Sequence, residues 1–148
     1  MSRDHRKLRV FHQAHDLTLA IYRCTREFPK DEWFGLRAQI RRASVSVPTN
    51  LVEGNARSTT RDYLRFLYVA LGSGCELHYL MKLTQEVGYA SGPSWIELVR
   101  RSESVAKQLQ RLVQEMERRA DEEEKAKTKD QRLKTRDKRP ETATTPVD

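Results

Sequence analysis

Apolar side chains recur three and four residues apart through four successive segments of this chain, which places them on one face of an α-helix. In residues 31–57 Arg37 and Arg41 lie four apart and away from the apolar positions, with Arg42 beside them. This segment is therefore predicted to bury one face in a core and to present positive charge on another. Its apolar positions are Leu36, Ile40, Ala43, Val47, Leu51 and Gly54.

The ends of this second helix are predicted from its capping residues. Asp31 is a favourable N-cap, because its carboxylate can accept a hydrogen bond from an unpaired backbone N–H. Gly54 and Asn55 are predicted to end the helix, with glycine supplying a left-handed conformation. Pro48 lies inside the segment and removes one backbone hydrogen bond, so a kink is expected there.

The other three segments have similar spacing and their own boundary residues. In the first segment apolar residues recur three and four apart from Val10 onward, and Pro29 ends the helix because it lacks a backbone N–H. The third covers about residues 61–87, with Ser58 or Thr59 as its N-cap. The fourth is predicted to start at a capping box formed by Ser94 with the glutamate three residues on.

Four amphipathic helices with short connections and no strand pattern predict an all-α fold, an antiparallel up-down four-helix bundle. The bundle is assigned to residues 9–119, after a flexible N-terminus of residues 1–8. Residues 120–148 are charged and almost without apolar positions. They are predicted to form a frayed helix followed by disorder, because they cannot bury a core.

Charge and composition limit the class of partner and the compartment. The formal net charge of +7 favours an anionic partner without choosing among nucleic acid, membrane surface and acidic protein. No apolar run approaches the roughly 20 residues needed to span a bilayer. Cys24 and Cys75 form no CxxC pair and are interpreted as small core residues, so a reducing cytoplasm is expected.

No catalytic residue, metal site or cofactor is predicted. His12 and His15 are three apart on the first helix, but no third ligand accompanies them. The glycines at 72 and 74 lack the preceding strand and terminal lysine of a phosphate-binding loop, and are interpreted as points of close helix approach.

A basic stripe is predicted on the third helix. Arg57, Arg61 and Arg65 are spaced four apart, and Tyr68 follows on the same face. Arginine binds phosphate in a bidentate manner and a tyrosine can stack on a base, so this stripe could join Arg37 and Arg41 in a nucleic-acid surface. The alternative is a solvated bundle face with intramolecular ion pairs.

The basic stretch after the acidic residues at 121–124 has two interpretations. Residues 125–139 hold eight basic residues and two acidic ones. Such a stretch could lie along phosphate groups as a tethered arm, or it could act as a solubilising segment.

Residues 8–116 resemble the four-helix-bundle family encoded in intervening sequences of bacterial 23S ribosomal RNA genes. Relatives of that family include the accessory variability determinant proteins of diversity-generating retroelements. The matching pieces are IYRCTREFP at 21–29, FGL at 34–36, QIRRA at 39–43, S-V-P-x-N-L-x-E-G at 46–54, Arg57 with Ser58, Phe66 with Leu67, Gly72 and Ser73 with Glu76, and Gly88 with Tyr89. The charged tail departs from the family's pattern.

The resemblance implies an assembly more than an activity. Such proteins look like basic homopentamers, and the retroelement relatives bind nucleic acid and a reverse transcriptase. Arg42, Glu53 and Glu76 match the family's motif positions, as do Asn50 and Gly54. A structural role is expected for them: the carboxylates would pair with Arg42 or with helix ends, inside the bundle or between subunits, while Asn50 would form a buried polar contact that fixes register.

Together these observations predict a cytoplasmic, non-enzymatic, oligomeric bundle that binds structured RNA or an RNA–protein complex, with a reverse transcriptase as a candidate partner. The alternative is a structural scaffold that docks an acidic protein through its basic face.

Overall fold

The computed structural model describes residues 4–137, and within that range it contains helices and no strand. The four long helices are α1 (Arg9–Cys24), α2 (Leu36–Asn55), α3 (Thr60–Glu86) and α4 (Pro93–Asp137). Each helix packs against the two that flank it in the cycle α1–α2–α3–α4–α1. The predicted antiparallel up-down four-helix bundle is therefore confirmed.

The core lies along the predicted apolar faces of all four helices. Fully buried aliphatic side chains from each helix meet there, and the indole N–H of Trp95 donates to the carbonyl oxygen of Met81 at 3.1 Å. The largest completely buried side chains are Leu17, Ile21, Ile40, Leu51, Leu67, Leu77, Met81 and Leu109.

Helix α2 starts at Leu36, four residues later than an N-cap at Asp31 predicts. Residues Lys30–Glu32 form a 3₁₀ turn, and the Oε2 atom of Glu32 accepts a hydrogen bond from the Leu36 N–H at 2.9 Å. The Glu32 side chain thus caps the helix, and the prediction of Asp31 as its N-cap was wrong. A glutamate that reaches forward from a 3₁₀ turn to a backbone N–H four residues later is not a capping pattern that the sequence alone indicates.

Pro48 lies inside α2, and the helix continues through it. The carbonyl oxygen of Ser44, which would normally accept from the N–H that proline lacks, instead accepts from the Thr18 hydroxyl on α1 at 2.8 Å. Thr18 also lies 2.9 Å from its own helix's Ala14 carbonyl. A hydrogen bond between two helices therefore compensates for the missing backbone donor.

Gly54 allows α2 and α3 to approach closely and does not adopt the predicted left-handed conformation. It is buried inside α2, and a Cβ there would lie 2.8 Å from Phe66 Cβ and 3.0 Å from the Tyr63 ring. Gly74 is similarly close to Leu109, at 3.1 Å, whereas Gly72 has no atom within 4 Å. The prediction of close helix approach is confirmed for Gly74 and is wrong for Gly72.

The other predicted helix ends have different outcomes. Thr59 caps α3, accepting from the Asp62 N–H at 3.1 Å, as predicted. Gly88 follows the last turn of α3 with φ +82°, the left-handed conformation that glycine tolerates. Helix α4 begins at Pro93, so Ser94 lies inside it and the predicted capping box was wrong. Proline suits the first helical position, where no N–H is needed.

Helical structure extends past both ends of the bundle predicted at residues 9–119. His5–Lys7 forms a 3₁₀ turn capped by the Asp4 carboxylate. At the other end α4 continues through the acidic residues to Asp137, with Ala120 buried against the bundle. Residues 138–148 of the tail predicted at 120–148 lie outside the described residues.

The two cysteines differ in their burial. Cys75 is exposed, so its assignment to the core was wrong, whereas Cys24 is half-buried. None of the helices in residues 4–137 is long and apolar enough to cross a membrane.

Candidate nucleic-acid interface

The structure places the six predicted nucleic-acid-binding residues in two groups at opposite ends of α2. Arg37 lies in the first turn of α2 and Arg57 just past its end. At 1.5 Å per helical residue the two positions are about 30 Å apart. Arg37 and Arg41 therefore do not share one surface with the arginines of α3.

Arg41 forms its contacts with other residues of the same chain. Its Nε donates to Thr25 Oγ1 at 2.9 Å, its Nη2 donates to the Tyr22 carbonyl oxygen at 3.1 Å, and its guanidinium lies over the Tyr22 ring at 4.6 Å. Partial burial lowers its pKa from the usual value, with the neighbouring Arg37 acting in the same direction. These contacts connect α2 to the C-terminal end of α1, so Arg41 has a structural role.

Arg37 belongs to an aromatic and cationic cluster at the start of α2. Its guanidinium lies 4.9 Å from the centre of the Trp33 ring, and Lys30 Nζ lies 6.0 Å from the same ring. The Trp33 indole N–H donates to the Phe28 carbonyl oxygen at 3.2 Å. Cation–π contact thus orients Arg37 at the loop end of the bundle.

Arg61 and Tyr68 contact the acidic part of α4. Arg61 pairs with Glu124 and lies 3.8 Å from Asp121, and the Tyr68 hydroxyl donates to Glu117 Oε1 at 2.6 Å. The hydrogen bond with Glu124 raises the pKa of Arg61, and the hydrogen bond with Glu117 raises the pKa of Tyr68. These two members of the predicted stripe are therefore already bound to carboxylates.

Arg57 and Arg65 line a groove where the end of α2 meets the start of α3. The groove has a volume of about 460 Å³. The Arg57 guanidinium lies 4.5 Å from the centre of the Phe66 ring. The Arg65 side chain is 82% exposed and its Nη1 is 3.8 Å from Asp62 Oδ1. The groove, called here the Arg57–Arg65 groove, is lined by Asn50, Arg57, Asp62, Arg65, Phe66 and Val69.

Asn50 connects this groove to the interface between α2 and α3. Its Nδ2 donates to the Ser46 carbonyl oxygen at 2.8 Å and to Ser46 Oγ at 3.1 Å. Ser46 Oγ in turn lies 2.7 Å from Ser73 Oγ on α3. Asn50 is half-buried, so the predicted polar contact reaches the neighbouring helix through Ser46.

The groove contains residues that the sequence analysis did not select. Phe66 and Val69 supply its apolar wall, and both are only partly buried or exposed. In sequence Phe66 follows Arg65 directly, on a helix whose apolar face is already occupied by other residues. That excess of apolar positions could have identified them.

The three charged motif residues lie on the surface of the bundle. Arg42, Glu53 and Glu76 are all exposed. None of them forms an ion pair or a side-chain hydrogen bond with the side chains described, those of residues 4–135. Pairing inside the bundle, one of the expected alternatives, is therefore not what the structure contains.

Residues 4–137 contain no group of three or more histidine, cysteine, aspartate or glutamate side chains placed to hold a metal ion. His12 Nε2 donates to the Arg6 carbonyl oxygen at 2.7 Å. The ring of His15 stacks on Phe11 at 6.1 Å. Both histidines thus have structural contacts of their own.

Comparison with known proteins assigns the fold to one family. The family model described as "23S rRNA-intervening sequence protein" matches residues 6–111. A similar solved structure is a protein of unknown function from the S23 ribosomal protein family of Bacteroides thetaiotaomicron. It has a TM-score of 0.64 and 19% sequence identity, and the alignment covers 71% of this chain and 95% of the other. No curated protein is significantly similar to this chain.

Proposed function

This chain belongs to the family of 23S rRNA-intervening sequence proteins, and from that premise we propose that it is a cytoplasmic, non-enzymatic protein that self-associates and binds structured RNA. The observation that carries the proposal is the Arg57–Arg65 groove. It combines two guanidinium groups, an amide and an aromatic ring with a single carboxylate, Asp62, in one exposed cleft.

The groove has the chemistry that a folded RNA strand requires. Guanidinium groups form bidentate hydrogen bonds with phosphate oxygens. The Arg57 guanidinium already contacts the Phe66 ring, 4.5 Å from its centre, and this contact reduces the side-chain entropy lost when Arg57 binds. Unstacked bases in RNA loops stack on aromatic and guanidinium planes, and the Arg57–Phe66 pair offers such a surface.

Self-association is supported by the exposed charged residues of the family motif. Arg42, Glu53 and Glu76 carry both signs of charge on the exposed faces of α2 and α3, so they are available for ion pairs between copies. The resemblance implies a homopentamer, in which five grooves would turn weak phosphate contacts into useful affinity. Light scattering tests this: an oligomer is expected, and a monomer at micromolar concentration would contradict it.

The resemblance also implies a partner, the reverse transcriptase of a diversity-generating retroelement. A reverse-transcriptase gene and template repeats beside the reading frame would support that partner. A ribosomal RNA insertion around the gene would instead support the intervening-sequence setting alone.

Neutralising the groove tests the function. We expect Arg57→Gln with Arg65→Gln to bind a hairpin RNA roughly tenfold more weakly than the unaltered chain, a loss of about 1.4 kcal/mol. The matched control is Arg100→Gln with Arg118→Gln, which removes two arginines that pair with carboxylates on α4. Equal losses in both variants would mean that only net charge matters.

The competing scaffold function gives a different outcome in the same assay. If the unaltered chain binds polyglutamate and no RNA at low salt, the basic face docks an acidic protein and the RNA proposal is wrong.

A further inference from the structure

The last third of α4 forms a projecting arm beyond the region matched by the family. The family match ends at residue 111, whereas α4 continues to Asp137. Ala120 is the last buried residue described, and every side chain from 121 to 135 is exposed. The arm, defined here as residues 121–135, therefore has little bundle packing to account for it.

The acidic beginning of the arm fixes it to the bundle. Glu123 accepts a hydrogen bond from the Thr60 hydroxyl at 2.8 Å, and Glu124 pairs with Arg61. Both partners lie in the first turn of α3. Past Glu124 the helix leaves the bundle at the end that also carries the Arg57–Arg65 groove.

Partners within the chain account for all the described carboxylates of the arm. Asp121 lies near Arg61, Glu122 pairs with Arg118 at 2.6 Å, and Asp130 pairs with Lys134 at 2.6 Å. Past Glu124 the arm, in residues 125–135, carries five cations and one carboxylate, Asp130, and that carboxylate already pairs with Lys134.

Four cations of the arm have no such partner. Lys125, Lys127, Lys129 and Arg132 form no ion pair with any side chain described through residue 135. Lys125, Lys129 and Arg132 are spaced four and three apart, which aligns them on one helical face. With Asp121, Glu124 and Thr128 they line a shallow groove of about 440 Å³.

We propose that this face of the arm is a second phosphate-binding site, which contacts the nucleic-acid backbone next to the Arg57–Arg65 groove. For the identity of its ligand the inference rests on the proposed function. The three cations lie about 6 and 4.5 Å apart along the helix axis, and a polynucleotide strand carries one phosphate per about 3.4 Å of duplex axis, so the long side chains can reach different phosphates of one strand. The preformed helix reduces the entropy lost on binding.

The neighbouring groove adds to the effect of the arm. Arg65 and Arg61 are one helical turn apart on α3, and Arg61 is the residue that holds Glu124. One nucleic acid can therefore contact the groove and the arm together, and the second contact is made at high effective concentration.

The test is a salt series of binding to a hairpin RNA by fluorescence anisotropy. The arm variant is Lys125→Gln, Lys129→Gln and Arg132→Gln, since glutamine has nearly the helix propensity of lysine and arginine. Its control is Arg100→Gln, Lys107→Gln and Arg119→Gln, with the same charge loss on the same helix but at cations that pair with carboxylates outside the arm. Circular dichroism checks that both variants keep their helix content.

Loss of three phosphate contacts should reduce the slope of log affinity against log salt by about 2 to 3. We expect that reduction in the arm variant and an unchanged slope in the control. Equal slopes in the arm variant and the unaltered chain would overturn the proposal that the arm binds phosphate. Equal reductions in the arm variant and the control would overturn it as well. In either case the proposed function stands if the groove variant still loses affinity.

Two further ligands identify the chemistry. Duplex DNA of the hairpin's sequence should show the same dependence on the arm, because the site contacts phosphate rather than base. If the arm variant loses affinity for polyglutamate and none for RNA, the arm binds acidic protein and the proposal is wrong. Absence of any RNA binding by the unaltered chain would overturn the proposed function itself.

Discussion

At the scale of single residues, Gly54 sets how closely α2 and α3 pack. We expect Gly54→Ala to destabilise the bundle, because the added Cβ would meet the Phe66 Cβ at 2.8 Å, an atom close to the backbone that cannot turn away. Overpacking of this kind costs about 1 to 3 kcal/mol, which exceeds the gain of up to about 1 kcal/mol in helix propensity.

Chemical denaturation measures the effect, with Gly72→Ala as the control. An added Cβ at Gly72 meets nothing within 4 Å, so stability should rise by up to about 1 kcal/mol. If Gly54→Ala were as stabilising as Gly72→Ala, the close approach of the two helices at Gly54 would be wrong.

The hydrogen bond from Thr18 to Ser44 should contribute measurably to the free energy of unfolding, because Pro48 leaves the Ser44 carbonyl without its usual backbone donor. Thr18→Val leaves the Ser44 carbonyl without its donor, and we expect a loss of about 1 to 3 kcal/mol. Thr18→Ser keeps the hydroxyl and should lose less. In a Pro48→Ala background the restored N–H can pair with Ser44, so Thr18→Val should cost less there. Equal costs in both backgrounds would contradict the account.

At the scale of elements, α4 is stabilised by ion pairs between successive turns. Hydrogen bonds from Arg100, Lys107 and Arg118 lower the pKa values of Glu97, Glu103 and Glu115, respectively, from the ordinary 4.5. A carboxylate whose pKa is lowered by folding contributes stability above its unfolded pKa and loses it as the pH falls. This contribution is therefore complete above about pH 4.5 and disappears below it.

We expect the melting temperature to fall between pH 5 and pH 3. A variant with Glu97→Gln, Glu103→Gln and Glu115→Gln should start lower at pH 7 and fall by less. Thermal unfolding followed by circular dichroism measures both. High salt should reduce the difference, because the pairs are solvent-exposed. A fall of equal size in the two proteins would show that these pairs do not contribute.

The four helices were predictable from sequence because apolar spacing reports directly which face is buried. The start of α2 was not, since it depends on the Glu32 side chain reaching Leu36. The roles of the arginines were even less accessible. Arg61 pairs with Glu124, which lies 63 residues further along the chain, and that contact exists only once α3 and α4 have packed. The arginines of the predicted cationic surface could be selected from the sequence. Which of them line a groove depends on tertiary contacts that the sequence does not show.

At the scale of the whole molecule, charge is separated along the chain. Helices α2 and α3 carry the Arg57–Arg65 groove, the acidic stretch of α4 lies against the start of α3, and the basic stretch projects beyond it. In the proposed oligomer each copy would add one groove and one arm to a common basic surface. The family match ends before the arm, so a bundle shared with relatives and an arm outside that match would act on the same RNA.

The most direct test of this account is the affinity of the full chain for a hairpin RNA as a function of salt concentration. Two groove arginines and three arm cations per copy predict a linear decrease of log affinity with log salt. At about 0.7 to 0.9 per phosphate contact the slope should be near −4 for one copy, and steeper if several copies bind together. A slope near zero, or no binding at low salt, would contradict the account and leave the protein scaffold as the better explanation of the basic surface.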